Sequence, residues 1–242
     1  MPRFADTAVC IRHLDFSESS QVVVLLTEQH GKVRGLAKGS RRLAPSSMQR
    51  FSGGIELLTV GQIVATTRRT SELAALTEWD LQDDLHHLRK GLRAQRLGLY
   101  AADVTHAMLA DLDPHPATFA ALRRFLGALR DEAAMEASLL FFQWALLVDA
   151  GYQPVLDRDV VNDAVLKKAE AYTFDPQAGG FTADTGQGAW RVRHATLEAL
   201  RQVQAGQDAL DEHDAQRANR LLCSYVRAIL DRALPTMEAV LG

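Results

Sequence analysis

Cysteine is scarce in this chain. Its 242 residues hold two, Cys10 and Cys223, each inside an apolar pattern. Two thiols so far apart in sequence leave no disulfide framework and read as buried free thiols in a reducing cytosol. Long apolar runs are missing too: the most apolar stretch, "ASLLFFQWALLVDAG", is interrupted by Gln143 and Asp149 and is too short to span a bilayer. The opening residues, MPRFADTAVC, lack the continuous apolar core of a signal peptide. No HExxH, GxSxG, Walker loop or GxGxxG occurs. His86 and His87 are adjacent and so cannot share a helix face as metal ligands. The acidic "DEHD" at 211–214 reads as a solvated helix entry, and no carboxylate cluster suits a metal-dependent nuclease. The chain reads as a binding protein rather than an enzyme.

One more absence is local. Between Glu28 and Glu56 there is no acid, while Lys32, Arg34, Lys38, Arg41, Arg42 and Arg50 all fall inside that window. At the average density of 30 acids in 242 residues, about three would be expected there. The asymmetry extends further: residues 1–70 carry ten Lys/Arg against five Asp/Glu, although the whole chain has a net charge of −3. A basic first module facing an anion such as nucleic acid, and an acidic second one, follow from that imbalance.

Hydrophobic residues at 47% and charged ones at 24% fit a folded globular chain. Its first eighty residues read as five short strands. "TAVCIRHLDF" alternates, and "SQVVVLLTEQHGKVRGLAKG" gives two β-rich runs around a turn at Glu28–Gly31. "GGIELLTVGQIVATTRRTSELAALTEWDL" adds further runs, broken by Gly61 and by Arg68–Ser71. A small OB-like barrel is the simplest assembly of such strands. Helical spacing begins near Leu81, with Asp83 and Asp84 at the positive end of a first helix. "DPHP" at 113–116 separates it from a second. The "ASLLFFQWALLVDAG" helix is apolar all round and central, ended by Gly151. An irregular segment at about 152–192 precedes helices near 193–205 and 213–234. The fold class is therefore α+β: a five-stranded OB-like barrel over residues 1–80, then an α-helical domain over 81–242.

If residues 32–38 form a strand, Lys32, Arg34, Leu36 and Lys38 share one exposed face, and "KGSRRLAPSS" continues as a flexible loop with two more cations. Two readings stay open. The face can track a nucleic-acid backbone, with Phe16 and Phe51 as stacking candidates, or it is a strand edge guarded by cations against aggregation.

The stretch "AVCIRHLDFSESSQVVVLLTEQHGKVRGLAKGSRR" resembles the opening of the RecO family of bacterial recombination mediators. The matching elements are Arg12, Glu18, Ser19, Thr27, His30, Gly31, Lys32, Ala37, Lys38, Gly39 and Arg41. "LLFFQWALLVDAGYQPVLD" is similar to a second family motif through Gly151, Tyr152, Pro154, Leu156 and Asp157, and "LTEWDL…LR" (76–89) lies between them in the same order. The resemblance implies an N-terminal OB fold, a helical C-terminal domain, and binding of single- and double-stranded DNA. It also implies strand annealing and, with RecR, loading of RecA on DNA coated by single-strand-binding protein (SSB), in the cytoplasm at the nucleoid.

On this reading Arg12, Lys32, Arg34, Lys38, Arg41, Arg42 and Arg50 form the DNA-binding surface. The alternative function is an adaptor whose barrel binds an acidic peptide. The family's binding of the acidic SSB tail calls for an apolar pocket rimmed by cations, for which Phe119, Arg123, Arg124, Leu126 and Arg130 on the second helix are the candidates. Many members carry zinc on paired CxxC motifs. Here those positions are Asp159 and Asn162, then about Ala183 and Gly186, so the zinc site is expected to be lost and no cofactor is expected.

Overall fold

The computed structural model describes residues 3–68, 71–183, 190–207 and 209–242. Arg69 and Gly186 lie outside the described residues. The chain divides into two compact units, Met1–Arg130 and Asp131–Gly242.

In the first unit the alternating runs become β1 (Arg3–Ser17), β2 (Ser20–Thr27) and β3 (Gly31–Ala37), followed by helix α1 (Pro45–Phe51) and strands β4 (Val60–Arg68) and β5 (Ser71–Asp83). They close a barrel in the order β1-β2-β3-β5-β4. One long strand serves two neighbours: β1 pairs with β4 through Arg3–Val9 and with β2 through Ala8–Ser17, with a register shift between Cys10 and Arg12. The ring is completed by a short parallel pairing of β3 with β5, Gly35 opposite Ala74 to Ala37 opposite Leu76. Inward residues such as Cys10, Val23, Leu25, Val33, Ile63, Ala65 and Trp79 fill the barrel. Gly61 does not interrupt a strand, as its type alone predicts. It lies inside β4, where a Cβ would stand 2.6 Å from the Trp79 ring, so only glycine leaves room for that indole.

The segment after β3 is loop only as far as Ala44, with α1 beginning at Pro45, and its ends are held by side chains. The buried Gln21 amide accepts from Ile55 N and donates to Ile55 O at 3.0 Å each, and takes the Ser40 hydroxyl at 2.9 Å. Ser47 donates to the Gly39 carbonyl, and Phe51 of α1 enters the barrel core. Side chains thus pin the buried ends of this segment, while residues 41–46 between them are exposed.

Asp83 and Asp84 do not open a long helix. Asp83 ends β5, and their carboxylates accept from Leu85 N and His86 N ahead of a short 3-10 turn at His86–Arg89. Helix α2 (Leu92–Met108) and helix α3 (Pro116–Ala128) follow, and the compact unit continues through both to Arg130. α2 packs against β1 and α3 against β2.

Lys32 joins these layers. Its Nζ donates to the carbonyls of His106 (2.7 Å) and Leu109 (2.6 Å) at the C-terminal end of α2, and meets Asp111 Oδ1 at 3.2 Å. The unpaired carbonyls at a helix C-terminus carry partial negative charge, so an ammonium is the complement they need. Leu112 N donates to Lys32 O at 2.9 Å, and Gly31, at φ +69°, has the Asp113 backbone where a Cβ would be. Burial, then the charges of Lys32, Arg12 and Arg34, pushes the neighbouring His106 imidazole below its ordinary pKa, so it stays neutral beside the ammonium.

The second unit contains helix α4 (Met135–Asp149), strands β6 (Val155–Asp159), β7 (Ala171–Asp175), β8 (Gly180–Thr182) and β9 (Trp190–Arg193), then α5 (His194–Gln204), α6 (Glu212–Ile229) and the short α7 (Glu238–Leu241). α4 is the central buried helix its composition predicts. Its Gln143 donates to Asn219 Oδ1 of α6 at 2.8 Å, and Asn219 donates to Glu136 Oε2 at 2.7 Å. The segment at 152–192 is not irregular throughout: it forms a four-stranded sheet, β6-β8-β7-β9. Cys10 and Cys223 are both buried and neither is in a disulfide, and burial pushes the Cys10 thiol up to about 12.

Asp159, at the end of β6, closes this sheet's loops. Its Oδ1 accepts from Val161 N (2.9 Å) and Asn162 N (3.3 Å), its Oδ2 from the Thr182 hydroxyl (2.8 Å) and Ala183 N (2.9 Å). Burial alone would raise its pKa. The four donors outweigh that, and the carboxyl is held below its ordinary value.

Lys32→Met leaves the helix-end carbonyls of His106 and Leu109 without their cation and Asp111 with Arg34 alone, and should cost about 3 kcal/mol, read as a fall in Tm of roughly 2–4 °C per kcal/mol. Arg34→Ala, two residues away and half-exposed, should cost under about 1 kcal/mol. Asp159→Asn should cost about 1–3 kcal/mol at neutral pH. Because the folded carboxyl titrates below the unfolded value of about 3.9, the gap between parent and variant is full at neutral pH and closes only as pH falls through the lowered pKa. Denaturant titrations at neutral and acid pH check both the size and the sign.

Candidate nucleic-acid interface

Pairing across the barrel places the basic residues in rows. Arg12 lies opposite Val24, and Val24 opposite Arg34; the next row is Leu14, Val22 and Leu36. Directly paired residues share a face. Arg12 and Arg34 therefore stand on one outward face, two strand spacings or about 10 Å apart. Lys38 follows Ala37 at the end of β3, in the turn that carries Gly39 at φ +74°.

Of the expected quartet, Lys32, Arg34 and Leu36 share this side of β3 and Lys38 lies beyond the strand in the turn, and α2 divides the side. The row Val9, Leu26 and Lys32 is covered and buried, and Lys32 is only 4% exposed. Its ammonium is committed to the end of α2. The strand alternation is as predicted; the exposure of Lys32 is not. Arg12, Arg34 and Lys38 are exposed on the uncovered half.

Around them the surface is apolar: Leu14 is 55% exposed and Phe16 64%, with Val22 and Leu36 half-buried. Phe16 is open to a stacking base, whereas Phe51 is a core residue and is not. Leu14 and Leu36 carry no charge to mark them. The continued β1 alternation, Arg12, Leu14, Phe16, is the signal that places Leu14 here.

The cations differ in how they are held. Arg34 Nε meets Asp111 Oδ2 at 2.8 Å and Arg41 meets Asp15 Oδ1 at 2.8 Å, both at part-exposed sites. Among the described residues Lys38 and Arg42 have no ion-pair partner. Arg50, on α1, donates to Ser46 O at 3.1 Å and lies over the Phe51 ring at 5.9 Å. Exposed ion pairs are worth at most about 1 kcal/mol, so a phosphate can replace either carboxylate at little cost. The strand-edge reading does not fit this arrangement: β3 lies between β2 and β5 in a closed barrel.

On α3 the expected pocket is not formed. Phe119 and Leu126 are buried, and Arg123 covers the Phe119 ring at 5.8 Å. The helix turns its apolar stripe inward, as amphipathic helices do. Arg123, Arg124 and Arg130 are exposed without an apolar slot between them.

The positions that correspond to zinc ligands do not suit zinc. Both Asp159 oxygens already accept from four donors of the chain, Asn162 Oδ1 accepts from Ala164 N, and Ala183 has no donor side chain. Among the described residues no group of three or more His, Cys, Asp or Glu side chains could hold a metal ion, and no helix is long and apolar enough to cross a membrane.

Known proteins agree with this architecture. The profile described as "Recombination protein O N terminal" matches residues 1–84, and "Recombination protein O C terminal" matches residues 89–238. A protein named DNA repair protein RecO from an Anaeromyxobacter species is 30% identical over 94% of this chain and 91% of its own length. One of the same name from Halorhodospira halophila is 32% identical over 88% of this chain and 85% of its own, and one from Myxococcus xanthus is 28% identical over 98% and 97%. The barrel, the helical region that follows it in sequence and these matches together place the chain in the RecO family of DNA repair proteins.

Proposed function

We propose that the chain acts in recombinational repair by binding DNA and annealing complementary strands rather than by catalysis. In this reading the uncovered half of the barrel follows a phosphate backbone, with Arg12, Arg34, Lys38, Arg41, Arg42 and Arg50 as its cations. The carrying observation is the pair Arg12 and Arg34, held on one face beside exposed Leu14 and Phe16. Cations with an apolar and aromatic floor suit a single strand, whose bases stack while its phosphates are neutralised. Double-stranded DNA can use the same cations through its phosphates alone. With RecR, the chain would then load RecA onto SSB-coated DNA at the nucleoid, recruited by the acidic SSB tail. The burial of Phe119 and Leu126 speaks against α3 as the apolar part of such a site.

The chain is also proposed to fold without structural zinc. Asp159 holds together, by hydrogen bonds within the chain, the loops that paired thiolates would hold through a metal.

An adaptor that binds acidic peptides through the barrel would show no affinity for oligonucleotides even at low salt. For a DNA-binding barrel, the combined variant Arg34→Ala, Lys38→Ala and Arg42→Ala should lower the magnitude of the log–log salt slope on single-stranded DNA by about 2, at about 0.7 for each phosphate no longer neutralised. Thermal unfolding should be little changed, since Lys32 is left in place. An unchanged slope would remove the barrel face as the DNA surface. Metal analysis of the purified protein should find zinc well below one per chain, and a chelator should leave Tm where it was.

A further inference from the structure

The second unit carries its own cationic groove, formed by β9, the start of α5 and one side of α6, with a volume of about 420 Å³. Five arginines line it: Arg191 and Arg193 from the strand, and Arg217, Arg220 and Arg227 from the helix. No acidic side chain lines it. Four of the five, all but Arg217, have no ion-pair partner among the described residues; Arg217 meets Asp214 at 2.9 Å.

The two elements produce this by ordinary periodicity. In α6 the residues Ala215, Ala218, Leu222 and Val226 face inward, which turns Arg217, Arg220 and Arg227 outward along about 15 Å of helix. In β9, Val192 is buried and its two neighbours point the other way, about 7 Å apart. Trp190 also lines the groove, from the Val192 side of β9, stacked on Phe174 with centroids 5.9 Å apart and an interplanar angle of 12°.

We infer that this groove is a second single-stranded DNA site, separate from the barrel face. Four guanidiniums with no ion-pair partner among the described residues, next to Arg217 with one, concentrate positive charge that a polyanion can neutralise. Arginine, with its planar fork, is suited to bidentate phosphate contact. The strand spacing of Arg191 and Arg193 is of the order of the phosphate repeat of an extended single strand. Trp190, partly exposed at the groove and backed by Phe174, supplies what a peptide carboxylate would not require, an aromatic ring for a base to meet. The inference deepens the annealing reading, because pairing two strands on one scaffold is helped by separate places to hold them.

Fluorescence tests it directly. Trp79 and Trp144 are buried, so quenching by an added oligothymidylate reports mainly on Trp190. The full-length chain should be quenched on binding, and Trp190→Phe should lose most of that change. The combined variant Arg191→Ala, Arg220→Ala and Arg227→Ala, whose side chains are exposed, should keep its Tm. It should lose the quench and lower the salt slope by about 2. Quenching and slope equal to the parent's would overturn the site. Quenching by an Asp/Glu-rich peptide but not by the oligonucleotide would overturn it in favour of a peptide site. The barrel variant, measured in parallel, keeps the two readings apart: each triple variant tests only its own surface.

Discussion

A single ammonium holds the first unit in order. Lys32 leaves β3 on the outward side of a closed sheet, where a lysine would ordinarily reach water. Instead it is enclosed, because the C-terminal end of α2 supplies two carbonyls and the following turn supplies Asp111. A buried cation is tolerable only when such partners surround it. The position of α2 across β1 depends on this, and with it the division of the barrel exterior into a covered half and a bare half. The neutral His106, glycine at position 31 and the backbone bond from Leu112 all adjust to the same junction.

Much of the architecture can be read directly from the residues. Alternation in β1 to β3 and the turn at Glu28–Gly31 are local, so they survive folding unchanged. The apolar girth of α4 likewise announces a largely buried helix, although it meets solvent at Val148. What a one-dimensional pattern cannot carry is which half of a sheet another element will cover. The basic face is legible, and the removal of Lys32 from it is not, since that depends on a helix sixty residues later. Phe119 and Leu126 show the same limit: the stripe on α3 marks one face of a helix without saying whether water or protein meets it.

The sheet at β6 to β9 is hidden in the sequence for a different reason. Its strands are three to five residues long, and only β7 is markedly apolar. Such runs lack the length for periodicity to register. The arginine groove is obscured because it is assembled from two stretches some twenty residues apart. Its trace is nonetheless present: Arg217, Arg220, Ser224 and Arg227 fall on one side of a helical wheel, and "WRVR" alternates.

The parallel pairing of β3 with β5 has a bearing on how the chain is made. β1, β2 and β3 can zip together as soon as they leave the ribosome, because each pairing is local. Closure must wait for residues 74–76, nearly forty positions further on. During that interval β3 is a free edge, open to pairing with any other nascent strand. Arg34 and Lys38 flank that edge at both ends, so nascent chains meeting there bring like charges together. The cations that the finished barrel offers to a phosphate backbone thus have an earlier occupation, as guards of an unfinished one.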